Sequence, residues 1–223
     1  MKLTYSPFKP FEITKGKITV IETGNYDVYR KMIMNFKDLE DDINFSDDDY
    51  KLMETIKALN WIGDQMFADN LNKQFQAKIY KRVFEIMPDS SQQALIELAR
   101  KIKNTVTDVT YMIDLPLEVN PEIDLLKIIK FAEIEYNSIM TAGPYDIIEV
   151  ILKTLSELNE TKIIGMMNVS DYLRESDFKD LIQLVRTLDL KVLLIKFSEI
   201  QRSEKYDECR YYYIDNDFVD YRF

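Results

Sequence analysis

Histidine is absent from this chain, and cysteine occurs once, at position 209. The first absence excludes imidazole acid/base catalysis, Ser-His and Cys-His nucleophilic systems, and histidine metal ligation. The lone Cys209 excludes an intrachain disulfide and any multi-cysteine zinc site, which suits a reducing cytoplasm. The opening residues MKLTYSPFKPFEI hold no apolar signal core, and nowhere do 18 apolar residues run together. The chain therefore reads as neither secreted nor membrane-spanning. Positive charge is in deficit: 29 Lys and Arg stand against 39 Asp and Glu, a net charge of −10 over 223 residues. An acidic chain lacks the usual profile of a nucleic-acid binder, so any DNA contact must rest on a local basic surface. There is no internal repeat and no low-complexity tract. What the chain does have is 46% hydrophobic content, enough for one sizeable core with a helical appendage.

The organising stretch is Lys17 to Lys31: a β-branched apolar run, a break at Gly24, then a helical pattern through Met32, Ile33, Met34 and Phe36. Strand, glycine turn and helix N-terminus outline a phosphate-cradling loop. Laid on G-x-x-x-x-G-K-[ST] from Gly24, however, Tyr29 stands for the second glycine, Arg30 for the lysine and Lys31 for the hydroxyl. A tyrosine cannot offer the close backbone approach that wraps a triphosphate. A second test agrees: a Mg²⁺-holding carboxylate should end the apolar strand 162–167, and Asn168 stands there. The expectation is an NTPase-like skeleton without an NTPase site, with Gly24 serving as a strand-to-helix turn.

Along the chain, residues 3–13 predict an edge hairpin or a strand interrupted at its rim, 17–23 a central strand and 27–39 a helix. Residues 40–50, with Asp41, Asp42, Asp47, Asp48 and Asp49, read as a solvated acidic loop rather than a metal loop, because the EF-hand spacing is missing. Residues 51–68 are ambiguous between a helix and a short strand near Trp61. Helices are expected at 70–87, 89–111 and 122–135, with Pro116 and Pro121 bracketing an acidic elbow. Gly143-Pro144 closes this section, and helix 145–158, strand 162–167, helix 176–188 and strand 191–197 restore a βαβ pattern, with a last strand at 210–214. The predicted fold is α/β: a P-loop-NTPase-like head of residues 1–69 and 144–223 with a mainly parallel sheet and a degenerate phosphate loop, and an inserted α-helical leg at 70–143.

This organisation resembles the CRISPR-associated ring-forming protein family of type II-A spacer acquisition. The resemblance rests on Lys17-Ile18-Thr19-Val20-Ile21-Glu22, on Leu117-Glu118-Val119-Asn120-Pro121-Glu122-Ile123, on Lys191-Val192-Leu193-Leu194 and on Tyr212-Tyr213-Ile214-Asp215-Asn216-Asp217-Phe218. It spans essentially the whole chain, through the order of elements more than any one motif. It implies a non-catalytic homotetrameric ring that threads double-stranded DNA and engages its ends, with Ca²⁺ stabilising the ring. It further implies cytoplasmic work beside the CRISPR integrase complex and the effector nuclease.

The elbow offers Asp114, Glu118, Asn120, Glu122 and Asp124 within eleven residues, oxygen donors of the kind calcium accepts. The candidate metal ligands are Glu118, Asn120, Glu122 and Asp124, with Glu133 and Glu135 as further donors. The alternative is an acidic helix start in which Glu122 and Asp124 complement the dipole. For DNA the candidates are Lys73, Lys78, Lys81 and Arg82, then Arg100, Lys101 and Lys103, then Lys127 and Lys130, a basic cluster on each predicted leg helix. The alternative is ordinary solvated helix faces. Tyr211, Tyr212 and Tyr213 read as alternating strand residues rather than a stacking platform. Three competing functions remain: an atypical P-loop nucleotide binder, an acidic scaffold for basic proteins without DNA affinity, and a carboxylate-only metal nuclease.

Overall fold

The computed structural model describes residues 1–47, 49–64, 71–136 and 143–223. Its contacts divide the chain into two compact units, residues 1–69 with 139–223, and residues 70–138. Among the described residues no helix is long and apolar enough to cross a membrane.

The strands of the first unit, in chain order, are β1 (Lys2–Tyr5), β2 (Phe11–Glu12), β3 (Lys17–Thr23), β4 (Ile43–Ser46), β5 (Leu52–Met53), β6 (Leu59–Gly63), β7 (Ile163–Met167), β8 (Lys191–Phe197), β9 (Arg210–Ile214) and β10 (Asp220–Arg222). They form a six-stranded sheet of order β10-β9-β3-β8-β7-β6 and a four-stranded sheet of order β2-β1-β4-β5. In the larger sheet β9, β3, β8, β7 and β6 run parallel and β10 is antiparallel at the edge. Helices α1 (Tyr26–Phe36), α2 (Thr55–Ala58), α6 (Pro144–Glu157), α7 (Val169–Tyr172) and α8 (Glu175–Thr187) complete this unit.

Central strands covered on both faces read as unbroken apolar runs. Ile18 to Thr23 in β3 and Val192 to Lys196 in β8 are all buried and largely apolar, with Glu22 and Lys196 as the charged exceptions. One face packs Ile21, Leu193, Ile195 and Tyr212 against Val28, Met32 and Phe36 of α1 and against Leu3, Phe11 and Phe45 of the smaller sheet. On the other face Tyr211 stacks on Tyr206, which meets Phe178 of α8 edge-on. The three consecutive tyrosines therefore alternate as strand residues do, and all are buried. Gly165 of β7 is fixed by packing, since a Cβ there would lie 2.6 Å from the Trp61 ring and 2.9 Å from Leu59.

One expectation for this unit needs correction. Residues 40–50 are not a loop throughout, for β4 pairs antiparallel with β1 and buries Ile43 and Phe45. The Asn35 carboxamide oxygen accepts from the backbone N–H groups of Asp42 and Ile43 at 2.7 and 3.0 Å, anchoring the strand's start. Asp48 lies outside the described residues. Over 51–68, where the pattern is ambiguous between helix and strand, the structure forms β5, one turn of α2 and β6, so the short strand near Trp61 is present, with 65–68 outside the described residues.

The second unit holds α3 (Leu71–Ile86), α4 (Asp89–Thr110) and α5 (Leu125–Phe131). Leu71, Phe75 and Tyr80 of α3 and Ile129 of α5 are its buried apolar residues. Asn72 and Gln76 of α3 hold the segment after α5, accepting from Tyr136 N–H at 2.9 Å and donating to the Ile134 carbonyl at 3.4 Å. The third helix is shorter than 122–135. Asp124 caps its N-terminus through Leu126 and Lys127 N–H, and Glu133 adopts a left-handed φ of 49° just past its end.

Candidate functional site

The turn after β3 spends its own amides. Asn25 is the N-cap of α1, and its side-chain oxygen accepts from Asp27 N–H at 3.0 Å and Val28 N–H at 3.1 Å. Asn25 N–H donates to the Thr23 hydroxyl, and Gly24 N–H to the Ile214 carbonyl. These are groups that a phosphate would otherwise receive at a helix N-terminus. Gly24 is glycine because of crowding: a Cβ would sit 3.1 Å from the Tyr213 hydroxyl and 3.2 Å from Glu199 Cα. Arg30, in the lysine's place, points away to Glu40 at 2.9 Å. Tyr29 donates its hydroxyl to the Asn168 side-chain oxygen at 3.3 Å, and Asn168 donates to Asp64 at 3.2 Å. Burial raises the Tyr29 hydroxyl above its ordinary pKa, so it stays a proton donor. The two departures from the nucleotide-binding pattern thus bond to each other.

Sequence reasoning missed Glu22, fully buried in β3. The Tyr211 hydroxyl donates to its Oε2, while Oε1 has no partner. Burial raises the Glu22 carboxyl above the ordinary range, opposed by the Tyr211 hydrogen bond and then by the charges of Lys196, Arg202 and Lys205. Close by, Lys196 donates to Asp171, Lys205 to the Ser170 carbonyl at 2.7 Å, and Ser170 shares a 2.8 Å hydrogen bond with Tyr206. The signal in the sequence was a lone carboxylate inside a β-branched run. Cys209 is buried as well, and burial pushes its thiol up to about 12, which makes it inert as a nucleophile.

In the second unit the basic candidates sort by partner. On α3 the exposed Lys73, Lys78 and Lys81 spread over an arc of about 140°, with Lys81 at its middle, Lys78 beside the buried Leu71 and Lys73 beside the buried Tyr80. Lys81 and Arg82 stand 3.9 and 3.8 Å from the carboxylate of Glu85, whose single negative charge is divided between them. Arg100 and Lys101 on α4, and Lys127 and Lys130 on α5, are exposed. Lys103 differs from the rest, because its ammonium donates to the backbone carbonyls of Asn120 and Glu122.

The proposed calcium ligands are Glu118, Asn120, Glu122 and Asp124, all exposed. Asp124 Oδ1 is taken up as the helix cap, at 2.9 and 3.3 Å from the N–H groups of Leu126 and Lys127. The Asn120 side-chain oxygen accepts from Glu122 N–H at 2.8 Å. Among the described residues no three carboxylate or thiol groups converge into a metal cluster, and this includes Glu133 and Glu135. As arranged within one chain, these donors do not make the six- to eight-oxygen cage calcium takes.

These features define a mixed α/β protein on a largely parallel sheet whose strand-end turn is closed by its own side chains, with a separate helical unit bearing exposed lysines. The family model described as CRISPR-associated protein (Cas_Csn2) matches residues 37–218, and the chain belongs to that family. Among solved structures, Stu0660 of Streptococcus thermophilus shares the fold at a TM-score of 0.60 and 15% identity, covering 96% of this chain and 74% of that one. A nucleotide-free ATP-binding cassette from an ABC transporter aligns more loosely, at a TM-score of 0.49 and 12% identity, covering 100% of this chain and 92% of that one. A comparison with curated proteins finds no match.

Proposed function

We propose that this chain is a non-catalytic protein of CRISPR spacer acquisition that binds double-stranded DNA ends, without sequence preference, through the basic faces of its helical unit. The observation that carries the reading is the exposed arc of Lys73, Lys78 and Lys81 on α3. Exposed ammonium groups on one face of a rigid helix are what phosphate contacts require, and no base-reading fork is needed. Family membership supports a CRISPR setting, and in this reading the chain works in the cytoplasm beside the integrase complex and the effector nuclease.

The strand-end turn supports the absence of catalysis on nucleotides. We read it as a phosphate loop that has lost its ligand, since Asn25 uses two N–H groups of the first helical turn and Arg30 is paired with Glu40. The homotetrameric ring is supported by α4, which buries none of its 22 residues and exposes Leu98, Ile102, Val106 and Val109 at helical spacing. A stripe of that length calls for a partner, and in this reading the partner is another copy of the chain. Calcium has no step in the proposal, because the elbow donors of one chain do not fit it.

The test is a gel shift with linear and covalently closed circular duplex, each with Ca²⁺ or EDTA, at two salt concentrations. Retention of the linear form alone, weakening steeply with salt, is expected of a ring threaded over ends. No shift under any condition contradicts the reading and leaves the acidic-scaffold function standing.

A further inference from the structure

The basic arc of α3 contains one carboxylate, Glu85, the helix's sole acid. At about 100° per residue Glu85 falls between Lys81 and Lys78, with Arg82 just beyond. Helix stability does not explain this placement. Glu85 is the last residue but one of α3, where the negative end of the helix dipole opposes a carboxylate. Its pairing with Lys81 runs lysine before glutamate, the weaker order for two residues four apart. Nor are the pairs tight, for the Lys81 ammonium at 3.9 Å and the Arg82 guanidinium at 3.8 Å are too far for hydrogen bonds. Arg82 is half-buried, and its Nε is packed away without a hydrogen-bond partner while Nη1 faces Glu85. The guanidinium is thus held in place at a cost in unmade hydrogen bonds, in a form that matches the oxygens of a phosphate.

We propose that Glu85 is an intramolecular stand-in for a DNA phosphate. It occupies Lys81 and Arg82 in the free protein, and a backbone phosphate takes them over when duplex binds. The phosphate wins because the duplex engages several cations of the arc at once and releases counterions, whereas a loose, exposed ion pair is worth little. Glu85 thereby keeps duplex binding weak and reversible, and it covers two of the four cations of α3 until DNA arrives. The inference rests on the reading that α3 binds DNA, and names what regulates that site.

The experiment titrates labelled linear duplex, over a range of salt, with the full-length wild type, with Glu85→Gln, and with Glu157→Gln, which removes an exposed charge from α6 of the other unit. Glu85→Gln is expected to bind about three- to tenfold tighter at low salt, with a salt slope steeper by up to roughly 0.9 for each cation released. Glu157→Gln is expected to match wild type within about twofold, since screening confines the effect of a surface charge to its neighbourhood. In a Lys81→Gln, Arg82→Gln background the gain from Glu85→Gln is expected to vanish, with far-UV circular dichroism as the check on folding. Because Arg82 is half-buried, the same comparison is made with the exposed Lys81→Gln alone, where the gain should shrink. The proposal is overturned, with the DNA reading intact, if wild type binds and Glu85→Gln binds no tighter, if Glu157→Gln gains as much, or if the gain persists without Lys81 and Arg82. No binding by wild type and Glu85→Gln alike overturns the DNA reading and this proposal together.

Discussion

The two units solve the problem of stability differently. The α/β unit is complete in itself: the central sheet is covered on both faces, and even Glu22 in its central strand β3 is fully buried beside a tyrosine donor. The helical unit has four buried apolar residues over its described helices, and α4 contributes none. Buried side chains each contribute about 1.5–3 kcal/mol relative to exposure, so the second unit has little to spare. A region that leaves Ile102 at 63% exposure in mid-helix is built to be covered. The comparison separates a self-contained α/β unit from a helical unit with a long exposed apolar stripe.

The sharpest way to break that comparison is Phe75→Ala. It empties the centre of the small core at a cost of about 3–5 kcal/mol. Because Trp61 is the chain's single tryptophan and lies in β6, its emission reports the first unit alone. Helical circular dichroism is expected to fall while Trp61 emission holds, and a simultaneous change of both signals would show that the units do not melt separately. Gly165→Val attacks the other unit, driving a side chain into Trp61 and Leu59. Overpacking of this kind costs about 1–3 kcal/mol, and here Trp61 emission should report the earlier unfolding.

Ile102→Ser sharpens the comparison from the surface. Its unfolding midpoint should stay within about 0.5 kcal/mol of wild type, because the residue is exposed. Sedimentation velocity should show a weaker assembly, and an unchanged assembly would remove α4 as the covering face.

The smallest effect is Glu22→Gln. The folded carboxyl titrates above its ordinary value, so between the two values the folded state binds more protons than the unfolded one. Wild-type stability therefore falls as pH rises from the ordinary carboxylate range through the raised folded value. The glutamine variant lacks that loss, so denaturant midpoints at pH 4 and pH 8 should move in its favour at the higher pH. A pH-independent difference would mean that Glu22 titrates normally.

Much of the fold was legible from local pattern. Strands β3, β7, β8 and β9 stood out because central parallel strands are continuous apolar runs. Helix α3 followed from the spacing of Leu71, Phe75, Ile79 and Val83, which marked its inner face and left Lys73, Lys78 and Lys81 off it. Strand β4 was hidden, because Ile43 and Phe45 are its only buried apolar residues, set amid acids, and its anchor is the distant side chain of Asn35. The elbow was harder still. Its acids advertise metal binding, but Asp124 is spent on a helix end, and Lys103 arrives from another helix. Nothing in a lysine's sequence neighbourhood distinguishes a tether from a phosphate contact.

One titration series tests the central claim, that the helical unit binds DNA and the strand-end turn binds no nucleotide. Wild type and the triple variant Lys73→Gln, Lys78→Gln, Lys81→Gln are each titrated against a labelled linear duplex over a range of salt, and against Mg²⁺-ATP. The account predicts duplex binding with a steep salt slope that flattens by up to roughly 0.9 for each lysine removed, and no ATP binding by either protein. Saturable ATP binding by the wild type, or duplex affinity unchanged in the triple variant, would contradict it.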